Sequence, residues 1–179
     1  MIAIMLNGFF ENLITQAGTH RTVTQGAFLF RQDDPVTSVF AVQSGLVELT
    51  RFDQDGGSIV LQRAIKQTIL AEASLYSETY HCDAVAALPS VLFEMPKPAF
   101  RERLDRDPDF SSLWAAHLAG EVRTTRYRCE ILSRQTVSAR LDGWLAWQGV
   151  LPTKGEWKNV ALQIGVSPEA LYRELKKRR

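Results

Sequence analysis

The sequence predicts an α+β chain in three successive parts: an antiparallel β-roll, one long helix, and a helical domain ending in two short helices. Three observations predict it. Residues 22–95 run in short apolar segments broken by turn residues. Residues 109–135 contain no proline and repeat small and apolar residues in 4-3 steps. Residues 159–179 pattern as two helices around a glycine turn. The implied divisions are 1–109, 110–135 and 136–179.

Charge follows the same divisions. The whole chain is almost neutral, with 21 basic and 20 acidic residues among 179. Residues 1–110 hold 9 Lys/Arg and 14 Asp/Glu, residues 111–150 hold 5 and 3, and residues 151–179 hold 7 and 3. An acidic module followed by a basic one suits a sensor joined to a reader of phosphate-bearing polymers, because binding to phosphates needs local positive charge. No run of apolar residues is long enough to span a membrane. Met1 to Leu6 lacks a basic start and a small-residue cleavage site, so it is read as a packing segment rather than a leader. Cys82 and Cys129 cannot build a disulfide framework, which points to reduced thiols and a cytoplasmic chain.

In chain order, Phe9 to Gln16 is expected to form a short helix against the roll. Ala27–Phe30 is a strand closed by the turn residues Gln32-Asp33-Asp34-Pro35. Val39–Gln43 leads to Ser44-Gly45, and Leu46–Phe52 alternates apolar with polar residues as a half-buried strand does. Asp53-Gln54-Asp55-Gly56-Gly57 is a hairpin tip, since Asp-Gly and Gly-Gly supply positive φ without steric cost. Ser58–Ala64 returns, and Ala84–Ala87 and Val91–Met95 complete the strands. Strands this dense, with no long helix between them, argue a barrel or roll.

Asp107-Pro108-Asp109 then starts a helix that runs to about Gln135, with acidic residues favourable at its positive end. Its 4-3 seam is Ser111, Ala115, Leu118, Val122, Thr125, Cys129 and Leu132, a spacing that suits a partner helix. Leu113, Trp114 and Tyr127 lie on the side available to the roll.

Ser133 to Thr136 reads as a hinge and Val137–Trp147 as a helix with core face Val137, Leu141, Trp144 and Leu145. Gly149 to Gly155 is a loop around Pro152. Val160, Ala161 and Ile164 form the stripe of the next helix, Gly165 turns the chain, and Val166 is expected to be buried. Ser167 caps the last helix, with Pro168 at its first position and Leu171 and Leu175 inside. That leaves Glu169, Ala170, Tyr172, Arg173 and Lys176 facing outward. This is a helix-turn-helix pattern, whose second helix reads the DNA major groove. The candidate DNA-binding residues are Ser167, Glu169, Ala170, Tyr172, Arg173, Lys176 and Lys177.

Gly26-Ala-Phe-Leu-Phe-Arg-Gln-Asp-Asp-Pro35, Val39-Phe-Ala-Val-Gln-Ser-Gly-Leu-Val-Glu-Leu49 and Asp55-Gly56 resemble the β-roll of cyclic-nucleotide-binding domains. With the long helix and helix-turn-helix behind them, the order is similar to that of the Crp/Fnr family of bacterial transcription regulators. The resemblance implies a double-stranded β-helix roll and a homodimer paired through Ala115, Leu118, Val122, Thr125, Cys129 and Leu132. Its implied partners are a palindromic DNA operator, RNA polymerase and a small-molecule effector, with no membrane. The family continues into a β-hairpin wing that is not seen before Arg179. Either the chain is naturally short, with weakened phosphate contacts, or the wing lies beyond.

The family's ligand cassette is where the sequence departs. Cyclic-nucleotide binders place Gly-Glu at its start and an arginine about ten residues later. Here the segment reads Leu70-Ala71-Glu72-Ala73-Ser74-Leu75-Tyr76-Ser77-Glu78-Thr79-Tyr80-His81-Cys82. Glu72 matches the ribose-binding carboxylate, Ala71 replaces the glycine, and Tyr80 or His81 stands in the arginine's place. The pocket candidates are Ala71, Glu72, Ala73, Ser74, Tyr80, His81 and Cys82. A buried phosphodiester beside Glu72 and Glu78 without an arginine is strongly disfavoured, so cyclic AMP is not expected to bind. Two cysteines are too few for the family's iron–sulfur sensors. No cofactor is expected; haem stays open because His81 and Cys82 are iron ligands by type. No metal cluster, nucleophile–base order or phosphate-cradling loop suggests an enzyme. The second reading is a dimeric ligand-binding or protein-interaction module that has lost DNA binding.

Overall fold

The computed structural model describes residues 9–14, 18–52 and 58–178. The segment Met1–Leu6, the expected helix end at 15–16, the hairpin tip 53–57 and Arg179 lie outside them. The chain forms two compact units that divide between Leu118 and Ala119, inside the long helix.

In the first unit, helix α1 (residues 9–14) precedes strands β1 (Thr19–Val23), β2 (Phe28–Phe30), β3 (Ser38–Phe52), β4 (Ser58–Ala64), β5 (Ile69–Leu70) and β6 (Asp83–Pro96). Among the described residues these six strands form one antiparallel sheet in the order β1-β6-β3-β4, with β2 also on β6 and β5 on β3. Helix α2 (Lys97–Arg106) follows, then α3 (Pro108–Ser133).

Strand β3 explains the sheet. Side chains alternate sides along a strand, and both sides of it are buried over Val39–Val42, so that run is apolar. Phe40 and Val42 join Val47, Leu49, Tyr80, Cys82, Ala84 and Leu92 in one core cluster. Val39 and Ala41 join Phe9, Phe10, Leu13, Phe93, Phe100, Phe110 and Trp114 in the other. The expected break at Ser44-Gly45 is instead a run of register shifts within one 15-residue strand. Gly45 has φ +90° and approaches Pro89 and Ser90 so closely that a Cβ would collide with them. The Ser90 hydroxyl accepts from Leu46 N–H at 3.0 Å, so the bulge keeps its backbone satisfied. The two segments expected at Ala84–Ala87 and Val91–Met95 are likewise one strand.

The second cluster is aromatic. Phe9 lies 5.3 Å from both Phe110 and Trp114, and Phe100 lies 4.9 Å from Trp114. Helix α2, which the strand and seam patterns do not announce, contributes Phe100 with Ala99 and Leu104 beside it. Asp107 ends that helix and starts the next: its Oδ1 accepts from Phe110 N–H at 3.0 Å. That bond, then Arg103, holds the Asp107 carboxyl below its usual range.

The second unit contains the rest of α3, α4 (Val137–Gln148), a 3-10 turn (Lys154–Glu156), α5 (Trp157–Gln163) and α6 (Pro168–Lys177). Its core is Ile131, Leu141, Trp144, Val160, Ala161, Ile164 and Leu171, with Val166, Leu145 and Leu175 half-buried around it. Among the described residues no helix is long and apolar enough to cross a membrane, and no group of three or more His, Cys, Asp or Glu could hold a metal ion.

Candidate nucleic-acid interface and sensor cassette

The terminal helices are fixed by local chemistry. Gly165 takes φ +64°, which an L side chain resists, and so lets the chain leave α5. Ser167 Oγ then accepts from Ala170 N–H at 3.2 Å and caps α6, with Pro168 in the first turn. Leu171 is fully buried and sets which side of α6 faces out.

That side carries Ser167, Glu169, Arg173, Lys176 and Lys177, all exposed. Two of the seven candidates differ from expectation. Ala170 is half-buried, and so is Tyr172, whose ring tilts against Trp157 at 5.5 Å. Trp157 is itself held by a bond from Nε1 to Pro152 O at 2.9 Å, so Tyr172 packs α6 on α5. The Glu169 carboxyl is held below its usual range, first by its own backbone N–H, then by the Ser167 hydroxyl, then by the charges of Arg173 and Lys158. Lys158, on α5, therefore joins the positive surface beside Glu169. The sequence does not single it out, because the apolar stripe of α5 says nothing about whether Lys158 faces α6.

Arg178 is not part of a solvated basic tail. It donates to Glu174 Oε1 at 2.8 Å, to Asp142 Oδ1 at 2.6 Å and to both Ser138 O and Oγ, tying the end of α6 to α4. Arg140 acts within the same unit, donating to the carbonyls of Arg134, Ile164 and Gly165. Trp144 Nε1 donates to Gln163 Oε1 at 2.8 Å, a further tie between α4 and α5.

Along α3, Ala115, Val122, Thr125, Cys129 and Leu132 are exposed in the single chain, Val122 by 49 %. Leu118 is half-buried against the aromatic cluster, where Trp114 is buried and Leu113 half-buried. Tyr127, expected on the roll side, stacks on Trp147 of α4 at 6.0 Å instead.

The cassette spans β5 to β6. Ala71 keeps a left-handed backbone, φ +69°, although it is not glycine, and its side chain lies in the core. Residues 71–77 form successive turns, with Ser74 N–H bonded to Ala71 O and Ser77 N–H to Ser74 O. Ala73 is exposed, and Glu72 is half-buried with one carboxylate oxygen covered. Ser74 is buried, its hydroxyl 2.9 Å from His81 Nδ1. Tyr80 does not line an open pocket: it is buried, stacks on Phe30 at 3.8 Å, and bonds the backbone of Ser38 through its hydroxyl.

Basic residues from outside the segment do reach the cassette: Lys97 Nζ donates to Ser77 O at 2.6 Å, and Arg101 lies over the Tyr76 ring at 5.6 Å. Arg51, on β3, donates from Nη2 to His81 O at 2.6 Å. It lies outside the cassette segment, and the pairing of Thr50 with Asp83 brings it there from 30 positions away. Burial, then Arg51, lowers the His81 pKa. Burial pushes the Cys82 thiol up to about 11. Cys82 is buried in the core of the roll, and His81 Nδ1 is engaged by the Ser74 hydroxyl.

Residues 20–107 match the family model described as a cyclic nucleotide-binding domain. The chain is similar to the transcriptional activator protein Anr of Pseudomonas aeruginosa, 26% identical over 125 residues, covering 70% of this chain and 51% of that protein. It is similar to the global nitrogen regulator of Synechococcus elongatus, 25% identical over 126 residues, covering 68% and 56%. It thus spans about half the length of these curated relatives. The structure of FixK2 from Bradyrhizobium japonicum superposes with a TM-score of 0.71 at 18% identity, covering 90% of this chain and 84% of that one, a likeness of fold. A roll of this type, leading through one long helix into a capped helix-turn-helix and shared with such regulators, makes the chain a member of the Crp/Fnr family of transcription regulators.

Proposed function

We propose that the chain is a cytoplasmic, sequence-specific DNA-binding regulator that works as a homodimer and does not respond to cyclic AMP. The observation that carries this is the outward side of α6: Glu169 and Arg173 stand exposed one turn apart behind a formed Ser167 cap, with Lys176, Lys177 and Lys158 around them. An arginine bonds O6 and N7 of guanine together, and a carboxylate accepts from the cytosine amino group. The lysines supply phosphate contacts without base preference.

Reading a palindrome requires a dyad, and the exposed seam of α3 offers one. The cassette supports independence from cyclic AMP. Tyr80, one of the two residues (with His81) matched to the family's arginine, is turned into the core, and Arg51 is engaged with a backbone carbonyl. Effector and RNA polymerase contacts belong to this reading as properties of the family, with no residue assigned to either.

The test is selection of bound sequences from a random DNA library with wild-type protein and Arg173→Ala. The expected result is a palindromic consensus for wild type and lost preference at one base position in each half-site for the variant, with a penalty of about 1–3 kcal/mol. The same consensus at the same affinity from both would remove α6 as the reader and favour a protein-interaction module instead.

A further inference from the structure

Three elements of the second unit meet at Gly165. Arg140, in the first turn of α4, donates from Nε to Arg134 O at 2.8 Å, and Arg134 belongs to the hinge after α3. From Nη1 it donates to Ile164 O at 3.2 Å and Gly165 O at 2.8 Å, in the turn between α5 and α6. Leu132, on the last turn of α3, closes the same point: a Cβ on Gly165 would lie 2.6 Å from Leu132 Cδ2 and 3.3 Å from Arg140 Nη1. One guanidinium thus satisfies carbonyls at the end of the long helix and at the entrance to the recognition helix. Such charge-assisted bonds in a planar fork hold geometry better than a lysine can.

We propose that Arg140 is a positioning residue for operator reading. By fixing the turn before α6 to the hinge after α3, it sets which separation of half-sites a dimer accepts. The inference rests on the reading of the chain as a dimeric DNA-binding regulator. Half-sites read by a two-fold dimer lie about one helical turn apart, roughly 34–36 Å. Adding one base pair moves a half-site by about 3.4 Å and also rotates it around the duplex. A joint pinned by three hydrogen bonds and a close Leu132–Gly165 approach leaves little freedom to follow, so the spacing is selected sharply.

The experiment measures the affinity of the full chain for duplexes carrying the selected half-sites at spacers one base pair shorter, equal and longer. It compares wild type, Arg140→Lys and Arg140→Met, with melting curves alongside. Wild type is expected to prefer one spacer by about tenfold or more, the scale of a charge-assisted bond. Arg140→Met is expected to lose most of that preference while keeping the half-site consensus, with Arg140→Lys between. If Arg140→Met does not fold, Arg140→Gln, which keeps a polar side chain but loses the guanidinium fork, is expected to flatten the same preference. A merely structural role would weaken all spacers equally and leave the ratio intact, and that result overturns the proposal. Failure of wild type to select any half-site would overturn the DNA reading itself, an outcome distinct from an unaltered spacing ratio in the variants.

Discussion

Tyr80 lies flat on Phe30, with ring centroids 3.8 Å apart and planes 10° from parallel. Its hydroxyl donates to Ser38 O at 3.0 Å and accepts from Ser38 N–H at 3.2 Å. A side chain at one of the two positions matched to a ligand-binding arginine thus forms a tie between the cassette and the start of β3. The stack and the two bonds use both the face and the polar tip of the ring, leaving neither for an effector.

Tyr80→Phe should keep the stack but leave the buried Ser38 backbone groups without that partner. Leaving such groups unmade costs roughly 1–3 kcal/mol. Tyr80→Arg, which puts an arginine at one of the two candidate positions, should destabilise further by burying a charge, and should not create cyclic AMP binding. Urea denaturation measures the first two effects. For the last, a ligand at about 100 times its dissociation constant adds about 2.7 kcal/mol, so unchanged melting in millimolar cyclic AMP is expected for wild type and variant alike.

His117 gives the fold an acid-sensitive point. It is buried between Phe9, stacked at 5.2 Å, and Trp114, stacked at 5.5 Å, and its Nε2 has no hydrogen-bond partner among the described residues. Burial lowers its pKa from 6.5 to about 4. Between those values the unfolded chain binds a proton that the folded chain refuses, so stability falls as pH drops through this window and levels off below it. The shift corresponds to about 3 kcal/mol. Denaturation midpoints of wild type and His117→Phe at about pH 7 and pH 4.5 should diverge, with wild type losing more. Equal losses would place the acid sensitivity elsewhere.

The parts of this fold that are readable from sequence are those made by neighbours. Gly165, Ser167 and Pro168 determine a turn, a cap and a helix start within four positions, and the structure forms each as the pattern implies. Strand β3 reads as two because Ser44-Gly45 carries turn chemistry; only the close approach of Ser90 from β6 turns it into a bulge. Helix α2 has a proline start and Phe100–Leu104 spacing, yet its apolar side is too narrow to stand out as a helical stripe. Arg51 and Arg140 act 30 and 25 positions away from their bonded carbonyls at His81 and Gly165. No local pattern contains such pairings, so the reach of Arg51 to the cassette and the hinge's tie become visible only in the fold.

The exposed seam of α3 can be tested without disturbing either core. Val122 is 49 % exposed in the single chain, so Val122→Arg should leave the monomer folded. Across a dyad it would bring two like charges close together and prevent pairing. Sedimentation should show a dimer for wild type and mostly monomer for the variant at matched circular dichroism. A variant that remains dimeric would move the interface off this seam.

The end of α6 holds three cations of different kinds, and salt separates them. Lys176 and Lys177 are exposed, and each phosphate they neutralise releases counterions on binding. Replacing both by alanine should weaken binding to all DNA sequences and reduce the slope of log affinity against log salt by about 0.9 for each phosphate no longer neutralised. Arg178 instead directs its guanidinium to Glu174, Asp142 and Ser138. Arg178→Ala should therefore lower the melting temperature by a few degrees, as loss of roughly 1 kcal/mol would in a unit this small. It should leave the salt slope unchanged, because the charge removed was directed at α4 rather than at phosphate. Titrations at several salt concentrations, read beside melting curves, separate the two roles. A slope that falls in Arg178→Ala as it does in the lysine variants would return this residue to the DNA surface.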